Sequence, residues 1–190
     1  MDNHYKEGEE FEGIDFTLND LPKMEYEDCV FKNCNFSRSD ISRITFTDCQ
    51  FVNCNLSNAY MVETTFNEVS FKESKLLGVA FDACSEFMFR VHFHKCNLSM
   101  VSFYKRSLNN TTFDTCILKG TDFTESVLQG TVFNECDFLN AIFHRTDLTK
   151  ADFRTSFNFS IDPTINKVSK AIFTKENALN LLEGFKIVIK

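Results

Sequence analysis

Two sets of side chains in this sequence have types and spacings that could do chemistry. His92, His94 and Cys96 alternate along one short segment, on paper the spacing of a metal triplet. Eight cysteines in all would suit a disulfide scaffold in a short secreted chain. The second set is acidic: Asp28, Asp48 and Glu68 recur every twenty residues. If that interval brings them together, three like charges repel unless a cation or a basic partner answers them. Other chemistry has little to stand on. His4 and His144 stand alone, and Gly8, Gly13, Gly78, Gly120, Gly130 and Gly184 are too scattered to cradle a phosphate. The many serines and threonines form no nucleophile pattern. The sequence therefore assigns no catalytic, cofactor or metal-binding residue.

What must position these groups is a five-residue period. Phe113, Leu118, Phe123, Leu128, Phe133, Phe138, Phe143, Leu148 and Phe153 follow one another without a miss. The residue two before each is small: Thr111, Cys116, Thr121, Ser126, Thr131, Cys136, Ala141, Thr146 or Ala151. A period of five suits neither a helix nor a strand, so the chain must turn a corner every few residues. It can keep its large residues inside only by winding as a coil whose turns stack. The same period runs from Phe11 through Phe16, Leu21, Tyr26 and Phe31 to Phe81.

Cysteine usage falls into place on this coil. Cys29, Cys34, Cys49, Cys54, Cys96, Cys116 and Cys136 all occupy the small slot, and Cys84 is the odd one. Their separations of twenty put four pentapeptides in each turn. The thiols are then small buried hydrophobes, and the Cys96 thiol points inward while His92 and His94 point outward, which removes the metal triplet.

The register breaks once. After Phe81 the next centre should be Glu86, yet the period resumes at Met88, Phe93, Leu98, Phe103 and Leu108, two residues late. Residues 82–87 are thus expected to bulge. Glu86 and Phe87 are expected partner contacts there, since irregularities on a rigid scaffold often carry function. Arg106 stands in a small slot and is expected to swing out at a corner. Beyond Phe153 the pattern thins. Thr174 is placed to cap a helix over 175–183 ended by Gly184, followed by a strand over 185–190. The apolar residues Leu179, Leu182, Phe185, Ile187 and Ile189 exceed what a cap needs and suggest a homodimer.

Runs such as Thr121-Asp122-Phe123-Thr124-Glu125 and Ala151-Asp152-Phe153-Arg154-Thr155 resemble the repeat unit of the pentapeptide repeat proteins. The resemblance implies an all-β fold, a right-handed quadrilateral β-helix with a short C-terminal helix and strand. It divides the chain into a polar lead-in (1–10), the β-helix (11–173) and a terminal cap that dimerises (174–190). Seven to eight coils would make a rod about 35 Å long at ~4.8 Å per coil. The end of the chain, with Ile161-Asp162-Pro163, Ala171-x-Phe173, Leu181-Leu182 and Ile187-Val188-Ile189, is similar to the Qnr-like quinolone-resistance and microcin-immunity members. In those relatives a dimeric rod mimics DNA and binds DNA gyrase.

Charge fits that picture only locally. The net charge is −7, but residues 1–40 hold 11 acids against Lys6, Lys23, Lys32 and Arg38, while the remainder balances at 16 and 16. An acidic chain repels nucleic-acid phosphate, so direct binding to DNA is not expected. It attracts proteins whose grooves are built for DNA. Asp28, Asp48 and Glu68 are therefore the expected partner surface, with gyrase or another topoisomerase as partner. A scaffold for some other protein is the alternative. The acidic start resembles no signal peptide and no run is long enough to span a membrane, which suggests the cytoplasm.

Overall fold

The computed structural model describes residues 5–185 and residue 187. Most pentapeptides end in a corner, where one outward residue adopts a left-handed backbone with φ between 50° at Asp28 and 67° at Gly13. Such a conformation costs an L-residue about 1–2 kcal/mol. Stacking offsets it, because the corner N–H donates to a carbonyl of the next coil, as Asp28 does to Thr47 at 3.0 Å and Lys105 to Thr124 at 3.0 Å.

The coils stack as parallel ladders. One wall is a seven-stranded sheet made of Glu10–Glu12, Val30–Lys32, Gln50–Val52, Val69–Lys72, Val91–His94, Thr112–Asp114 and Val132–Asn134. A second wall is a four-stranded sheet made of Tyr5–Glu7, Glu25–Glu27, Thr45–Thr47 and Thr65–Asn67. Parallel bridges such as Asn35 with Asn55 and Ser102 with Asp122 close the other two walls. The result is a quadrilateral β-helix. Pairing begins at Tyr5, inside the stretch expected to be a lead-in.

The interior consists of the period's centres. On the longest wall Phe11, Phe31, Phe51, Phe71, Phe93, Phe113, Phe133, Phe153 and Phe173 form one continuous aromatic column. Its ring centroids are separated by 4.7 Å at the first step and 5.4 Å at the last. Offset aromatic pairs of this kind add to area burial. The cysteines are free and buried, and the Cys49 and Cys96 thiols are pushed up to about 12, chiefly by burial. Buried hydroxyls in the small slot reach back to carbonyls, as Thr131 does to Leu108 at 2.7 Å.

The register break departs from the sequence expectation in three respects. Cys84 lies in the small slot after all, beneath the bond from Ser85 N–H to the Thr64 carbonyl. Met88 is no core centre: it is exposed, with φ 53°, at a corner. Phe89 packs edge-on against Phe81 instead, at 5.8 Å. Arg106 does not swing out but is 4% exposed. Its Nε donates to the Phe81 carbonyl at 2.7 Å, Nη1 to Ser85 at 3.2 Å and Nη2 to both Asp82 and Cys84, while its guanidinium lies 5.0 Å from the Phe89 ring. The insertion turns these carbonyls away from the ladder, and only a planar multi-donor side chain can answer several at once.

The tail also differs. Thr174 does cap it, through bonds exchanged with Asn177, but the helix is a 3-10 helix spanning Asn177–Phe185 rather than 175–183. Gly184 and Phe185 lie within that helix, so Gly184 does not end it and Phe185 does not begin a strand. Apart from Phe185 and Ile187, the strand expected over 185–190, with Ile189, lies outside the described residues, as does His4. Among the described residues no helix is long and apolar enough to cross a membrane.

Candidate functional site: an acidic corner and a projecting loop

The corner that follows the four-stranded wall carries Asp28, Asp48 and Glu68, one above another and all exposed. The structure thus brings the three carboxylates together as the interval of twenty implies. Their electrostatics are unequal. Glu68 is answered by Arg90 at 2.8 Å and His92 at 3.8 Å from the next coil. Asp28 and Asp48 make no ion pair among the described residues. Glu7, Glu25 and Glu27 extend the same acidic face on the strands Tyr5–Glu7 and Glu25–Glu27. The Tyr5 hydroxyl donates to Glu27 at 2.6 Å, and that bond, with burial and the Glu27 charge adding to it, raises the phenol above its usual range.

Elsewhere many carboxylates are paired locally. Examples are Arg43 with Glu63, Lys95 with Glu73, Lys105 with Glu125 and Lys119 with Asp137. His94 meets Asp114 at 2.6 Å, and Asp114 is held below the usual carboxylate range first by the Asn134 amide and then by His94. The Cys96 thiol points the other way, into bonds with the Phe71 and His94 carbonyls. His92, His94 and Cys96 therefore do not converge.

Glu86 and Phe87 project from the register break, Phe87 being 68% exposed. Leu179, Phe185 and Ile187 are exposed on the tail, whereas Leu182 is half-buried. The residue that sequence reasoning misread is Arg106, which fixes this loop. Its signal was present: it is the one long charged side chain in a small slot, on the first coil after the break, where two extra residues open room.

A stacked quadrilateral coil with one wall of phenylalanines and chemically varied outward corners defines a pentapeptide repeat protein. The chain belongs to that family: the description "Pentapeptide repeat region" matches residues 24–85 and 86–157. Among solved structures, it is similar to two trypsin-treated, singly substituted forms of QnrB1, a plasmid-mediated fluoroquinolone resistance protein. Both are 18% identical to it with a TM-score of 0.64. The match to one covers 98% of this chain and 100% of that one, and the match to the other covers 98% of each. HetL, a pentapeptide repeat protein involved in heterocyst differentiation regulation from the cyanobacterium Nostoc sp. strain PCC 7120, is 11% identical with a TM-score of 0.44, covering 88% of this chain and 84% of that one. No curated protein sequence matches the chain.

Proposed function

We propose that this chain is a non-enzymatic protein-binding rod that engages DNA gyrase or a related topoisomerase and protects it from quinolones or peptide toxins. The observation that carries the reading is the acidic corner. Glu7, Glu25, Asp28 and Asp48 gather on one face and make no ion pair among the described residues. A rigid, negatively charged surface suits a protein groove lined with Lys and Arg to receive DNA. Glu86 and Phe87 supply a second contact, and the exposed Leu179, Phe185 and Ile187 a dimer contact at the tail. The shared fold with a fluoroquinolone resistance protein supports the choice of enzyme to test.

The test is DNA supercoiling by bacterial gyrase titrated with this protein, with and without a quinolone. Relief of drug inhibition, lost on reversing Asp28, Asp48 and Glu68 to Lys, is the expected result. Inhibition of supercoiling without relief would keep gyrase as partner and discard protection. No effect in either arm would leave the second reading, a scaffold for another protein. That reading is favoured by the local pairing of charges in the second half and by the shortness of the 84–89 loop.

A further inference from the structure

The acidic corner is one end of an edge that changes sign along its length. Its successive residues are Asp28, Asp48, Glu68, Arg90, Asn110, Gly130, Lys150 and Lys170, all but Arg90 with positive φ. Their stacking is fixed by bonds from Asp28 to Thr47, Asp48 to Asn67, Asn110 to Gln129, Gly130 to Thr149 and Lys150 to Ser169. Lys150 and Lys170 are exposed and, like Asp28 and Asp48, make no ion pair among the described residues. At ~4.8 Å per step the two charged groups lie several coils apart. That is well beyond the ~8 Å over which charges interact at physiological salt, so they do not neutralise each other within one chain.

Turned end for end, this edge is its own complement. Asp28 then faces Lys170, Asp48 faces Lys150, Glu68 faces Gly130 and Arg90 faces Asn110. The two-fold axis passes between Arg90 and Asn110, and the exposed Phe87 and Met88 stand in the loop just before Arg90. We propose that a second copy of this chain docks antiparallel along this edge, holding two coils side by side. An isologous contact of this kind closes on itself and uses no residue of the tail. Being narrow and held by exposed ion pairs, it is weak and sensitive to salt.

The test is charge exchange, read by sedimentation velocity of the full chain. Raising salt from about 50 mM to about 500 mM should weaken the association of the unaltered protein at least tenfold. Asp28→Lys/Asp48→Lys gives a chain basic at both ends, and Lys150→Glu/Lys170→Glu gives one acidic at both ends. Each alone should remain monomeric with respect to this contact, and a one-to-one mixture should associate, because every contact is again between opposite charges. Association of either variant alone at the unaltered strength, or no association in the mixture, overturns the proposal. Circular dichroism of each variant checks that it is folded. Lys150→Glu/Lys170→Glu also separates this contact from the gyrase reading, since it leaves the acidic corner intact for the supercoiling assay.

Discussion

At the scale of single residues, the structure is governed by where backbone polar groups find partners. Arg106 answers carbonyls of Phe81, Asp82, Cys84 and Ser85 and makes no ion pair among the described residues. Arg106→Leu should cost about 3 kcal/mol in denaturant unfolding, because it strands buried acceptors. Arg106→Lys should recover little of this, since an ammonium lacks the guanidinium's planar fork. Corner residues obey a different constraint. Thr115 is β-branched and exposed, yet holds φ 55°. Thr115→Gly should therefore raise stability by about 1 kcal/mol, with a higher thermal midpoint as the readout. Carboxylates at the turns set the acid limit. The Lys23 ammonium and then Ser42 hold Asp40 at about 2, and bonds from Thr17 and Thr164 lower Asp15 and Asp162. Since the unfolded value is about 3.9, the stability these groups contribute is fully present above about pH 4. It is lost as pH falls through the folded values, and Asp40→Asn should flatten the decline of the thermal midpoint between about pH 4 and pH 2.

Elements show what a one-dimensional pattern can and cannot specify. The five-residue period was sufficient for the walls, the inward thiols and the stacked carboxylates, because each of these depends only on position within a repeated unit. It failed where two coils must accommodate something extra. Met88 had the spacing of a centre, but the chain needed it as a corner. Arg106 had the wrong size for its slot because the slot is enlarged by the loop below. The two errors are one event, and this yields a cycle. Deleting Glu86 and Phe87 should destabilise the coil, and Arg106→Ser should destabilise it separately. Together they should be much less harmful than their sum, since the double change restores an ordinary repeat. In the tail, local apolar pattern located a helix but not its type. Its position depends on Asn177, whose amide donates to the Phe153 carbonyl at 2.8 Å across the last coil. Asn177→Ala should cost about 1 kcal/mol and speed hydrogen exchange of the final coils while leaving the first half unchanged.

For the whole molecule, the direction of the backbone bonds matters most. Nearly every ladder bond, from Gly8 to Glu27 up to Lys150 to Ser169, runs between one coil and the next. Those bonds therefore lie along the rod's long axis, as the phenylalanine column does. Pulled by its two ends, such a rod would not be sheared across many bonds at once. It would peel like tape, the bonds at a free end opening one after another at low force. Each released turn of twenty residues should lengthen the chain by about 65–70 Å. An optical-tweezers trace should show a staircase of such steps, and the turn containing the 84–89 loop, held by Arg106 of the next coil, should give way last among its neighbours and yield the longest one.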